Sequence, residues 1–266
     1  MYYQWRGDYV FPDSPEGNSF GLINYDGTPT EYYQEKLAMV NLLNELSDYI
    51  VKAEKKRCGV GILYSRYAFC HSDAIDNAER AKRNLWLDEL KRIYINLRKE
   101  GLTVDIVESR HLKKNTLNIK VLYIPMYDLL SDDEKEKIDA FVKSGGRVYC
   151  SECSLEYRDI TEKYSAYVSP YSIEDTILRE KLTPVFSCSS KSIMVQVLEG
   201  DGYYLAAVNN ISGVEECRTN IELDLGNVSA RKVVMYTPQQ KNELKKKGNI
   251  VLIPQLKWGA FLLIQE

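Results

Sequence analysis

The spacing of apolar residues changes along this chain, and that change constrains the fold more than any other feature. Between Cys58 and Cys150, continuous apolar runs alternate with segments of helical periodicity, whereas from Ser192 onward short runs alternate apolar and polar residues. Buried strands joined by helices are typical of a parallel sheet that is covered on both faces. Strands in which apolar and polar residues alternate are typical of antiparallel sheets. The sequence therefore predicts an α/β protein: a parallel-sheet unit followed by an antiparallel β-sandwich.

Helix signals mark the parallel-sheet unit. Strands are expected at residues 60–64, 103–108, 121–125 and 147–150, with a helix from about residue 75 to residue 99. Ser131 and Glu134 have the spacing of a capping box, and Gly145-Gly146 is a helix stop, so a second helix is expected between them. Gly59 and Gly61 lie at the first strand but form no dinucleotide or P-loop motif, which favours a structural role.

An earlier helix precedes this unit. Thr28 is a candidate cap, Pro29 suits the first helical position, and Glu31 completes a capping box. Apolar residues then recur every three or four positions up to Ile50, and the charged run 52–57 ends the pattern. The chain is expected to divide into residues 1–55, 56–182 and 183–266.

Composition excludes several classes of protein. The 35 Lys and Arg residues nearly balance 38 Asp and Glu, so no basic field favours nucleic acid as a partner. No apolar run approaches the length of a membrane span, so a transmembrane protein is not expected. The amino terminus has no signal-peptide pattern, and a cytoplasmic location is the expectation. The excess of 20 Tyr over 6 Phe suggests amphipathic surfaces such as subunit contacts or sugar-facing walls.

The cysteines and histidines do not predict a metal site or a cofactor. Cys150 and Cys153 form a lone C-x-x-C pair, and the other four cysteines lack zinc-ribbon spacing, so reduced core thiols are expected. His71 is expected in the loop after the first strand and His111 just after the second. Cys150 or Cys153, at the end of the fourth strand, is in the neighbourhood of an amidotransferase nucleophile, although both histidines lie upstream.

Several motifs occur in an order known from one family. These are Gln4-Trp5-Arg6, Glu16 in the loop after it, the stretch Gly21 to Pro29, Leu122-Tyr123-Ile124-Pro125, and Gly145-Gly146. The chain resembles the C-terminal part of family 42 glycoside hydrolases, the β-galactosidase type. The resemblance implies an N-terminal TIM-barrel remnant, a flavodoxin-like (class I glutamine amidotransferase-like) trimerisation domain and a C-terminal antiparallel β-domain.

The resemblance also carries expectations about function. The family's two catalytic glutamates are on barrel strands that would lie upstream of Met1, so no catalytic residue is expected and the chain is predicted to be a fragment, inactive alone. Trp5 matches a tryptophan that walls the sugar site, and Glu16 matches a loop glutamate; both are predicted to bind substrate. Residues Tyr64 to His71 are expected to contribute to a neighbouring subunit's sugar site.

The predicted function is therefore the non-catalytic portion of a β-galactosidase-like enzyme. It would support oligomerisation, as a homo-oligomer such as a trimer, and complete a site for β-galactoside-type carbohydrate. Two alternatives stay open: a stand-alone carbohydrate-binding or assembly protein, and an amidotransferase-like enzyme with a cysteine nucleophile.

Overall fold

The amino-terminal segment contains two short paired strands. The computed structural model describes residues 4–6, 21–24, 27–30, 32–74, 77–112, 118–151, 167–168, 173–212 and 217–266. Strand β1 (Gln4–Arg6) pairs in parallel with β2 (Gly21–Ile23), and Pro29 bridges back to Ile23. Thr30 donates to Leu22 O through both its backbone N and its Oγ1, at 3.0 Å each.

That pairing overturns the predicted start of the first helix. Because residues 28–30 are held against β2, helix α1 (Tyr33–Glu45) begins later, and no side chain caps it. It breaks at Leu46 and is followed by α2 (Ser47–Lys52) and the short strand β3 (Glu54–Lys55). The helix start predicted at Thr28 and Pro29 is therefore wrong, and Glu31 lies outside the described residues. No helix in the described ranges is long and apolar enough to cross a membrane.

Five parallel strands form the central sheet, in the spatial order β5-β4-β6-β7-β8. In chain order these are β4 (Val60–Tyr64), β5 (Val104–Glu108), β6 (Val121–Ile124), β7 (Arg147–Ser151) and β8 (Tyr167–Val168). The helices around them are α3 (Arg66–Ala74), α4 (Asn77–Lys99), α5 (Asp132–Lys143) and α6 (Ile173–Arg179). The predicted strands match within about a residue, because fully buried apolar runs are strong strand signals.

Helices cover both faces of this sheet. Ile138 and Phe141 of α5 pack on one face with Leu122, while Ile93 and Leu97 of α4 pack on the other. A side chain at Gly61 would place its Cβ 2.9 Å from Val107 Cγ2, so glycine lets the neighbouring strand and its core approach closely. Part of the tyrosine excess lies in the core as well, since the rings of Tyr123 and Tyr149 stack with centroids 5.8 Å apart.

Two antiparallel sheets form the β-module that ends the chain. Their orders are β14-β13-β17-β11-β10-β3 and β15-β16-β12-β9, with an apolar core between them. The strands are β9 (Ser187–Cys188), β10 (Ile193–Gly200), β11 (Tyr203–Asn210), β12 (Arg218–Asp224), β13 (Lys232–Tyr236), β14 (Lys241–Glu243), β15 (Lys246–Lys247), β16 (Ile250–Leu256) and β17 (Gly259–Gln265). The mixture of parallel and antiparallel sheets confirms the predicted α/β class.

The helix pair α1–α2 packs on the outer face of the six-stranded sheet. Leu42 and Leu46 are buried there against Leu205 and Leu263. The ring of Tyr203 contacts the ring of Tyr49 edge-on, and the Tyr203 hydroxyl donates a hydrogen bond to Tyr49 O at 2.8 Å. One side of α1 is therefore fixed on the β-module.

Candidate functional site

The structure describes little of the two residues predicted to bind sugar. Trp5 is the middle residue of β1, and its backbone lies in the pair formed with β2. Its side chain lies outside the described part of the chain, as does the whole of Glu16. Sugar binding by Trp5 and Glu16 stays a prediction.

The carboxyl edge of the parallel sheet is the next place to expect a ligand. Open α/β sheets bind ligands outside the strand ends where the strand order reverses, which here is between β4 and β6. Ser65, Trp86 and Met126 fill this region and are at most 3% exposed. The ring of Tyr64 lies 5.5 Å from that of Trp86, centroid to centroid. In the described residues, side chains occupy the crevice that a ligand would need.

The segment after β4 is helical, so the expectation that His71 lies in a loop is wrong. Helix α3 begins at Arg66, and Ser65 Oγ accepts a hydrogen bond from Ala68 N at 2.9 Å, as an N-terminal cap does. His71 therefore belongs to α3, although its side chain lies outside the described residues. His111 ends a 3₁₀ turn after β5, as expected from the sequence, and is exposed.

A buried hydrogen bond joins this segment to helix α5. Ser65 Oγ donates to Glu134 Oε2 at 2.9 Å, and Glu134 Oε2 also accepts a hydrogen bond from Ser131 N at 3.1 Å. Ser131 Oγ in turn accepts from Glu134 N, so the predicted capping box is confirmed. Glu134 is a carboxylate near the carboxyl edge of the sheet, but its Oε2 is engaged in holding two elements together. Its role is structural.

The candidate nucleophile Cys150 is a core residue. It is 1% exposed, and burial raises the pKa of its thiol to about 12, because the low-dielectric interior disfavours the thiolate. The nucleophilic form is therefore scarce at neutral pH. Cys153 lies outside the described residues. The expectation of core thiols is wrong for Cys70 and Cys217, which are exposed.

Cys150 is expected to resist alkylation. In the native chain at pH 8, iodoacetamide should modify Cys150 at least about a hundredfold more slowly than Cys217, because each unit of raised pKa removes about tenfold of the thiolate. Mass spectrometry of peptides from timed aliquots measures both rates, and a urea-unfolded sample in which both react is the control. Rapid native alkylation of Cys150 would contradict its burial, and a hyper-reactive Cys153 would favour the amidotransferase alternative.

A basic cleft of about 750 Å³ lies between the parallel-sheet unit and the β-module. Three of its five cations are in ion pairs: Lys55 Nζ lies 2.6 Å from Asp105 Oδ1, Arg57 Nε lies 3.4 Å from Asp105 Oδ2, and Lys56 pairs with Glu199. These ion pairs fix the segment between α2 and β4. In the described part of the chain, no cluster of three His, Cys, Asp or Glu side chains could hold a metal ion.

A second cleft of about 670 Å³ lies between α1 and two hairpin turns of the β-module. Its walls carry three aromatic residues and four side-chain amides: Tyr236, Trp258, Phe261, Asn209, Gln239, Gln240 and Gln255. The sequence analysis missed this cleft, because its residues come from four separate segments. The one available signal was a tryptophan placed in a predicted turn, at Trp258.

No protein-family model and no curated protein matches the chain, but solved structures do. A GH42 β-galactosidase from G. stearothermophilus matches with a TM-score of 0.67 and 14% identity, over 99% of this chain and 48% of its own. A β-galactosidase from Bacillus circulans sp. alkalophilus matches with a TM-score of 0.68 and 12% identity, over 99% of this chain and 49% of its own. A GH42 exo-carrageenase from Bacteroides ovatus matches with a TM-score of 0.56 and 19% identity, over 87% of this chain and 32% of its own.

These matches concern the fold, since all three identities are low. The chain spans about half the length of the two β-galactosidases. The resemblance that the sequence motifs predicted is confirmed at this level.

Proposed function

Because nearly all of this chain has the fold of about half of a family 42 β-galactosidase, we propose that it is the C-terminal, non-catalytic portion of such a glycoside hydrolase. Residues 1–55 are then the last strand and helix of a (β/α)8 barrel, residues 56–182 a flavodoxin-like trimerisation domain, and residues 183–266 the terminal β-domain. Both catalytic carboxylates belong to other barrel strands. Trp5 and Glu16 help to bind a β-galactoside-type carbohydrate in the complete enzyme.

The second apolar side of α1 carries this proposal. Leu37, Val40 and Leu43 are 41%, 39% and 40% exposed, and none of them belongs to the apolar cluster that holds α1 on the β-module. A helix that is apolar on both sides is typically packed on both sides, as a barrel helix between two layers is. The outer side of α1 therefore suits the remainder of a barrel.

The pair β1–β2 supports the same conclusion. Parallel strands occur almost only in sheets whose faces are covered, and a two-stranded sheet is marginally stable by itself. Strands as short as Gln4–Arg6 and Gly21–Ile23 therefore need further strands beside them. Adjacent strands of a larger parallel barrel would meet that need.

The middle unit supports a structural role. Its strand order, numbered from β4, is 2-1-3-4-5, which is the flavodoxin-like order. The crevice where flavodoxin-like folds bind ligands is filled around Trp86, and Cys150 is buried. In the described part of this unit the crevice is closed and the candidate nucleophile Cys150 is inaccessible, which suits a unit that brings subunits together.

Polar substitutions on the outer side of α1 are expected to remove non-specific association. We expect the wild-type chain to aggregate as its concentration rises and to bind a dye that recognises apolar surfaces. The triple variant Leu37→Gln, Val40→Gln, Leu43→Gln should lose both properties, because it removes the exposed apolar surface. Light scattering of this variant should then show a discrete oligomer formed through the middle unit.

The control is the double variant Ile250→Gln, Leu252→Gln, which replaces apolar residues of β16 with similar exposure, 40% and 38%. Association in this variant should equal that of the wild type. Equal association in the triple variant would argue against a barrel-facing side of α1. A strict monomer at high concentration would argue against oligomerisation through the middle unit.

A further inference from the structure

Trp258 is held in an exposed position by a well-ordered turn. It lies between β16 and β17 and is 54% exposed. Asn210 N donates to Trp258 O at 2.7 Å, and Asn210 Nδ2 donates to Lys257 O at 2.9 Å. The end of β11 thus fixes the turn, so the large indole projects from a rigid support rather than from a loose loop. Rigid elements are the usual supports of binding residues.

A second fixed turn forms the opposite wall of the cleft. Thr237 N donates to Gln240 O at 2.9 Å, and Gln240 N donates to Thr237 Oγ1 at 3.1 Å. This turn between β13 and β14 carries Gln239 and Gln240, and Gln255 of β16 also lines the cleft. Within the described residues, no hydrogen bond engages the side-chain amides of these three glutamines. Each amide can both donate and accept.

The charge of the cleft favours an uncharged ligand. Its charged lining residues are Glu35, Lys36 and Lys257, which together amount to one positive charge. Lys257 Nζ lies 5.6 Å from the centroid of the Trp258 ring, where the aromatic quadrupole attracts it. A polyanion would need several unpaired cations. Phe261 and Ala207 contribute apolar surface to the lining.

From this arrangement we propose that the cleft beside Trp258 binds a neutral oligosaccharide of hexopyranose units. A pyranose ring has an apolar C–H face, which suits the indole, and a rim of hydroxyl groups, which suits the glutamine amides. The volume of about 670 Å³ lies within the usual range of ligand clefts. This site goes beyond the proposed function, in which the β-module has no ligand of its own, and the residues proposed to contact the sugar, Trp258 and the three glutamines, all belong to the β-module.

Calorimetric titration of the purified chain with β-1,4-galactotetraose, and separately with cellotetraose, tests the site. At least one sugar is expected to bind with a dissociation constant of about 1 mM or tighter. Trp258→Ala should weaken binding at least about tenfold, and the double variant Gln239→Ala, Gln240→Ala should weaken it several-fold. The control is Leu178→Ala, which removes a large apolar side chain that is 75% exposed on α6 and should leave binding unchanged.

Fluorine NMR of the wild-type chain detects sugar binding even if the Trp258→Ala variant does not fold. The chain has three tryptophans, so 5-fluorotryptophan labelling gives one resonance each for Trp5, Trp86 and Trp258. The Trp258 resonance, assigned from its loss in Trp258→Phe, should shift on addition of sugar while that of Trp86 stays. Binding of neither sugar, or undiminished binding by a folded Trp258→Ala variant, or a shift confined to the other tryptophans would overturn the proposal.

Discussion

The Trp86→Ala variant is expected to unfold with a free energy about 3–5 kcal/mol lower than the wild type. Trp86 is 1% exposed and packs with Ala68 of α3 and with Met126 after β6, so its removal leaves a cavity where helices α3 and α4 meet the sheet. Urea denaturation followed by far-UV circular dichroism measures the loss, in the transition that contains the parallel-sheet unit.

Two further tryptophan variants test the reason for that loss. The Trp86 Nε1 is buried and has no hydrogen-bond partner among the described residues. Trp86→Phe removes this unpaired donor and keeps most of the packing, so it should cost only about 1–2 kcal/mol. Trp258→Ala, at an exposed position, should stay within about 0.5 kcal/mol of wild type. Similar losses in all three variants would contradict the packing argument.

Leu46→Ala is expected to loosen the helix pair α1–α2 from the β-module. Leu46 is fully buried at the break between the two helices, and deleting a buried leucine side chain costs about 2–5 kcal/mol. Amide hydrogen exchange should show a fall of that size in the opening free energy of residues 33–52, with little change in the parallel sheet.

The matched control lies on the same helix. Leu43→Ala makes the same chemical change at a side chain that is 40% exposed, so it should cost less than about 1 kcal/mol. If Leu43→Ala destabilised the helices as much as Leu46→Ala, the outer side of α1 would already be packed within this chain. The argument that it faces the rest of a barrel would then fail.

Local signals predicted the elements whose structure is decided locally. The strands at Val60–Tyr64 and Val121–Ile124 are found where expected, because their apolar patterns match their burial. The capping box of Ser131 and Glu134 forms because the two residues bond to each other's backbone within one turn. Gly145 ends that helix with a φ of +98°, which favours glycine.

Tertiary contacts decided the elements that the sequence analysis got wrong. Thr28 and Pro29 have the residue types of a helix start, yet Pro29 bridges to Ile23 and Thr30 bonds to Leu22, which delays the helix. Helix α3 had one signal, Ser65 as its cap, but no glutamate three residues later to complete a box.

The candidate sites were less predictable than the strands. Burial of Cys150 depends on both faces of its strand being covered, and the sequence places it only near a strand end. The cleft beside Trp258 forms only when α1, β11 and two hairpin turns come together from positions far apart in the chain. No local pattern encodes that arrangement.

The central claim is that this chain is a non-catalytic portion of a β-galactosidase-type glycoside hydrolase. Incubation of the purified chain with an aryl β-galactoside tests it most directly, with a full-length family 42 β-galactosidase assayed in parallel. We predict no release of the aryl group above the buffer rate from this chain, while the full-length enzyme is active. Turnover by the chain alone at enzyme-like rates, about 1 s⁻¹ or faster, would contradict the claim.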